Sequence, residues 1–119
     1  MKKELTLKLG GKNRRFTFGL LFIGEVLERL DIDYNELLQK VVKNPFKYAP
    51  ILMYESLKNS YTIKGKALDF TEKDIIIWLE KQELLGVDCM TEFVRFFLGV
   101  NENPTPVKSV ENGENVKKK

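Results

Sequence analysis

Leu5, Leu7 and Leu9 alternate with Thr6 and Lys8, and the alternation resumes after Gly10-Gly11-Lys12-Asn13 through Arg14, Arg15, Phe16, Thr17 and Phe18. A period of two puts successive side chains on opposite faces, so these runs predict a β-hairpin over residues 4–18. Leu5, Leu7, Leu9, Phe16 and Phe18 make up its apolar side. A two-stranded ribbon is marginal by itself in water, so that side must rest on helices or on another chain, and the latter would make a homo-oligomer.

From Leu20 the period lengthens. Leu20, Ile23, Leu27 and Leu30 recur at helical spacing, widened by Val26, and predict a helix over about 20–31. Asp33-Tyr34-Asn35-Glu36 has the form of a capping box and opens a second helix, 34–43, carrying Leu37, Leu38, Val41 and Val42. Asn44-Pro45 stops it, because proline disfavours helical backbone in the residue before it. A third helix is expected over 47–59, with Pro50 in its first turn and Asn59 to Phe70 as an exposed connection. Thr71-Glu72-Lys73-Asp74 caps a fourth, 72–85, ended by Gly86. Asp88 caps a fifth, 89–98, with Met90, Phe93, Val94 and Phe97 on one face and Gly99 closing it. The reading is a mainly α fold with a small N-terminal β-hairpin (α+β), about five short helices in one domain spanning 1–99. After Val100 the composition turns to Asn, Glu, Pro, Lys and Ser, too polar to offset the entropy of ordering, so 100–119 is expected to be a disordered tail.

Composition narrows the chemistry. A chain of 119 residues with 43% hydrophobic and 31% charged side chains supports one modest core. No apolar run reaches the ~18 residues of a membrane span, and the N-terminus lacks the continuous apolar stretch of a signal peptide, so a cytoplasmic protein is expected. Cys89 is the sole cysteine, which fits a reducing compartment. There is no histidine, which removes the commonest general base, the commonest zinc ligand, and Ser-His or Cys-His nucleophile pairs. Carboxylate- or lysine-based catalysis stays open, but no residue set points to it. The expectation is a non-enzyme without cofactor or metal.

Asp31, Asp33 and Glu36 are better explained by helix capping than by cation binding, since an EF-hand requires a central glycine and a terminal bidentate glutamate. Gly10-Gly11-Lys12 joins two strand-like runs and makes a turn where a P-loop would lead into a helix. Cys89 follows Asp88 and has no basic neighbour to activate it. Charge is uneven: residues 1–15 hold six basic side chains against Glu4 alone, whereas 16–99 hold ten basic and thirteen acidic. Lys8, Lys12, Arg14 and Arg15 therefore form a candidate basic patch for phosphates, with Phe16 or Phe18 as bases' stacking partners if they are not core. Aromatic residues are 11% of the chain, more than one small core absorbs, and exposed apolar rings mark interfaces.

The order of parts carries a further signal. The basic hairpin leads into Phe16-Thr17-Phe18-Gly19-Leu20-Leu21, then a helix with Glu25 and Leu27 ending in Leu30-Asp31-Ile32-Asp33-Tyr34-Asn35-Glu36-Leu37. Ile51-Leu52-Met53-Tyr54-Glu55-Ser56-Leu57 and the Thr71-Glu72-Lys73-Asp74 cap follow. Over residues 4–98 this resembles the tail assembly chaperones of long-tailed bacteriophages and the related tail proteins of gene transfer agents. The resemblance implies a cytoplasmic, non-catalytic protein of an infected or prophage-bearing bacterium. Such a protein binds the aggregation-prone tape measure protein, keeps it soluble and helps tail tube protein assemble around it. The family offers no motif that assigns binding residues; Phe46, Tyr54, Trp78 and Phe96 are the candidates for partner contact on grounds of surplus aromatic surface. Two other readings stand beside it: a small nucleic-acid-binding or regulatory protein using the basic hairpin, and a structural tail or connector component of a phage particle.

Overall fold

The computed structural model describes residues 4–101. Its first elements are strands β1, Glu4–Leu9, and β2, Lys12–Thr17, paired antiparallel with Leu5 opposite Phe16 and Leu7 opposite Arg14. Gly10 and Gly11 both take positive φ, 65° and 82°, the backbone that a two-residue hairpin turn demands. Leu7, Leu9, Phe16 and Phe18 are buried, so the apolar side rests on the helices of its own chain.

Five helices follow: α1 Leu20–Leu30, α2 Tyr34–Lys43, α3 Pro45–Ile63, α4 Glu72–Glu80 and α5 Val87–Asn101. The fold is mainly helical with an N-terminal two-stranded hairpin, as the alternating and helical spacings predict. Two of the three expected caps form, whereas Asp88, expected to cap the fifth helix, lies inside its first turn because that helix already begins at Val87. Asp33 accepts from the Glu36 amide at 2.8 Å while Glu36 accepts from the Asp33 amide at 3.3 Å. Thr71 and Asp74 make the same exchange at 3.2 and 2.9 Å. Each exchange satisfies amides that the helix itself leaves free.

Several expectations change in three dimensions. The third helix starts at Pro45, which occupies its first position, so Pro50 lies a turn deeper than expected and the helix runs on to Ile63. The expected connection from Asn59 is thus helical for five residues, and its far end, Phe70, is buried. The fourth helix is shorter than 72–85: it stops at Glu80, and Glu83–Gly86 is a separate 3-10 turn in which Leu84 and Leu85 adopt φ 53° and 57°. Left-handed backbone costs a leucine about 1–2 kcal/mol, so tertiary contacts hold this turn. Gly86, at φ 75°, is the residue that lets the chain pass: a Cβ there would lie 2.8 Å from Leu79. The last helix already begins at Val87 and passes through Gly99 to Asn101. The expected tail therefore starts inside a helix, and its remainder, 102–119, lies outside the described residues.

On α1 the fully buried residues are Phe22 and Val26; of the rest of the predicted stripe, Ile23, Leu27 and Leu30 are half-buried against the core, whereas Leu20 is 93% exposed. Phe22 wins because its ring meets Phe18 and Phe97 edge-on, at 5.3 and 6.2 Å. α3 is the central element: β2 and all four other helices pack against it. Phe16, Phe18, Phe22, Phe93 and Phe97 form the heart of the core, with Phe93 5.3 Å from Phe16 and 5.4 Å from Phe18. A second aromatic group, Tyr54 and Tyr61 of α3 and Trp78 of α4, gathers around Phe70.

Charged residues tie the helices together at Glu55, which is 4% exposed. Arg29 of α1 reaches it at 2.9 Å and simultaneously grips both carboxylate oxygens of Glu72 at the start of α4, at 2.6 and 2.9 Å. Lys58 approaches Glu55 from the same helix at 3.2 Å. The hydrogen bond to Glu72 foremost, then those to Glu55, hold the Arg29 guanidinium above its ordinary pKa despite partial burial.

Candidate functional site

Asn44 precedes proline and cannot continue α2, so α3 starts abruptly and presents Phe46 in its first turn. Phe46 is 58% exposed. Opposite it, α5 carries Met90, Val94 and Leu98 at intervals of four, a spacing that stacks side chains along one helix face. Together with Pro45 they line a groove of about 360 Å³, with Thr91 and Arg95 as its polar members. The three α5 positions extend over about 12 Å, roughly two helical turns of a partner. Such a surface favours the apolar stripe of an amphipathic helix, with Arg95 able to meet an acidic flank.

Of the four aromatic candidates, Phe46 alone belongs to this groove. Tyr54 and Trp78 are half-buried and pack on Phe70 at 6.1 and 5.9 Å; Phe96 is half-buried and lies 5.3 Å from Phe18. They extend the core instead of forming one face, because α3, α4 and α5 point them in different directions. The sequence places Met90 and Val94 on one helix face with Phe93 and Phe97; the structure buries Met90, 7% exposed, and leaves Val94 and Leu98 half-buried along the groove. Nothing in the row itself tells which neighbour will cover it. Other apolar side chains are exposed singly or in pairs, notably Leu20 and Leu21 and the Leu84-Leu85 turn.

The basic candidates also separate. Lys8, Lys12 and Arg15 are exposed, Arg15 lying 3.8 Å from Glu4. Arg14 is only 6% exposed and leaves the surface patch. It shares strand parity with Phe16 and Phe18, so the alternation that buries them turns Arg14 inward too. Its Nε donates to the Leu9 carbonyl at 2.9 Å, and its guanidinium lies 4.3 Å from the Trp78 ring centroid. A cation over an indole contributes about 0.5–2 kcal/mol, more as water is excluded. Trp78 in turn sits tight against the hairpin turn: a Cβ at Gly10 would fall 2.6 Å from the indole. Gly10→Ala is therefore expected to cost about 1–2 kcal/mol, combining left-handed strain with displacement of the ring. A matching fall in the urea midpoint together with a changed Trp78 emission spectrum checks it; the open position Gly11→Ala should leave the spectrum alone.

Cys89 is buried, and burial, seconded by the charge of Glu92, pushes its thiol up to about 11. The thiolate is scarce at neutral pH, which suits a packing role better than a nucleophilic one. Among the described residues no group of His, Cys, Asp and Glu is placed to hold a metal ion, and no helix is long and apolar enough to cross a membrane. No protein-family model, curated protein or solved structure matches the chain.

Proposed function

We propose that this protein is a non-enzymatic tail assembly chaperone of a long-tailed bacteriophage or related particle. It binds helical apolar segments of the tape measure protein in the bacterial cytoplasm and releases them as tail tube protein assembles. The groove of Pro45, Phe46, Met90, Val94 and Leu98 is the observation that supports this reading. An exposed phenylalanine beside a helical row of aliphatic side chains suits transient cover for a client's apolar stripe. The order of hairpin, capped helices and late acidic cap supports it independently through the family resemblance.

Co-expression with the tape measure protein from the same genome tests the reading. The client's soluble fraction should rise with the wild-type chain and return to its unaided level with Phe46→Asp. That substitution leaves the fold intact, because Phe46 is 58% exposed and a helix's first turn favours an acidic side chain. A client equally insoluble with and without the wild-type chain overturns the proposal. Equal rescue by Phe46→Asp moves the contact away from this groove.

A further inference from the structure

Between β2 and the C-terminal end of α3 lies a pocket of about 470 Å³ whose charged members are all cationic: Lys12, Arg14 and Arg15 from the hairpin, Lys64 and Lys66 from beyond the helix. Tyr61 and Ser60 also line it. Among the described residues one carboxylate comes within ion-pair distance of these cations, Glu4 at 3.8 Å from Arg15, and that pair is half exposed and weak. Lysines near a helix C-terminus complement its dipole, which accounts for Lys64 and Lys66 in part. It does not account for three further cations arriving from the hairpin.

Arg14 supplies the second observation. It is more than nine-tenths buried, and its Nη1 is enclosed without a hydrogen-bond partner among the described residues. Nε is satisfied by Leu9, and the Trp78 ring attracts the charge but offers no oxygen. Nη1 is sealed from solvent, and Leu9 and Trp78 line a different pocket, so Arg14 contributes buried positive charge beneath this one and not a free N–H. The pocket is wider than one phosphate group requires, and its cations are spread over two elements.

We infer that this pocket is a binding site for phosphate-class anions, in which the exposed Lys12, Arg15, Lys64 and Lys66 make the contacts and the buried Arg14 adds to the positive field. The phosphates belong either to a small polyphosphate or to the backbone of a single nucleic-acid strand; the chemistry recognised is the same. The site lies apart from the apolar groove, sharing no lining residue with it, and does not depend on the chaperone reading.

The test uses the full chain with two probes: inorganic pyrophosphate followed by calorimetry, and a fluorescein-labelled single-stranded oligothymidine followed by anisotropy across a salt series. Lys64→Glu/Lys66→Glu is the informative variant, since both residues are exposed and neither is in the core. Lys73→Glu/Lys81→Glu reverses the same charge elsewhere on the surface. Binding should weaken at least about tenfold in the first variant and change little in the second. If a strand is the ligand, the oligonucleotide binds more tightly than pyrophosphate, and the slope of log affinity against log salt shrinks by about 1.4 in the first variant, about 0.7 for each lost phosphate contact. Saturable pyrophosphate binding without oligonucleotide binding assigns the small anion. Absence of binding for both probes at low salt, or equal loss in both variants, overturns the inference. Arg14 is unsuitable as a probe because its removal disturbs Trp78 and the hairpin turn.

Discussion

Phe93→Ala is expected to remove about 3–5 kcal/mol of folding stability, the usual cost of emptying a phenylalanine site in a core. Phe93 is fully buried on α5 and touches the rings of Phe16 and Phe18, so it joins the last helix to the hairpin. The two partners come from a strand and the residue just after it, and neither can follow a shrinking α5 side chain without breaking the strand register. The cavity therefore stays largely open, which places the effect in the upper part of the range. Small domains have about 5–15 kcal/mol in total, so a loss of this size removes at least about a third of the margin. With a urea dependence of about 1–2 kcal/mol per molar, the midpoint should fall by roughly 2–4 M, read from Trp78 fluorescence. A shift below about 0.5 M would mean that the hairpin is held by something other than this ring cluster.

Arg29→Met is expected to cost about 2–3 kcal/mol, although Arg29 itself is partly exposed. The loss arises at Glu55, whose carboxylate is buried and would be left with Lys58 alone. Breaking a buried ion pair from one side commonly costs about 3–5 kcal/mol. The surviving lysine and the solvent access of Arg29 argue for a smaller figure here. Removing the buried carboxylate as well should reverse much of the effect, so Arg29→Met/Glu55→Met is expected to be more stable than Arg29→Met. Glu72→Gln removes only the exposed arm of the cluster and should cost no more than about 1 kcal/mol. Denaturation of these three variants and of Glu55→Met at neutral pH gives the comparison. A double variant less stable than either single one would show that Glu55 serves packing and not charge pairing.

Much of the secondary structure could be read locally. The hairpin followed from alternation and from two adjacent glycines, and both are short-range properties of the backbone. Asp33 with Glu36 and Thr71 with Asp74 marked helix starts because a cap needs only residues three apart. Boundaries at prolines and glycines were less secure. Pro45 could end one helix or begin the next; it does both, and this displaced Pro50 into the helix interior. Gly86 stops a 3-10 turn instead of a long helix, because Leu84 and Leu85 take a conformation that leucine does not choose by itself.

The candidate sites were legible only in fragments. Phe46 was singled out as surplus aromatic surface, and the Met90, Val94 and Leu98 row is visible at its spacing of four. That these belong to one groove depends on how α3 and α5 cross. Lys12 and Arg15 were visible as a basic cluster, whereas Lys64 and Lys66 lie some fifty residues away in sequence and reach the hairpin because β2 packs along α3.

The sequence by itself determined that the chain is mainly helical with one N-terminal hairpin, that α2 and α4 start at side-chain caps, and that positive charge is concentrated at the hairpin. These outcomes rest on interactions within a turn or two of backbone, which any window of the chain contains. Only the tertiary structure decided that Arg14 is interior, that Leu20 is exposed while Phe22 is buried, and that two separate surfaces remain uncovered. Burial is a property of pairs of faces, and the pairing is settled when distant elements compete to cover α3.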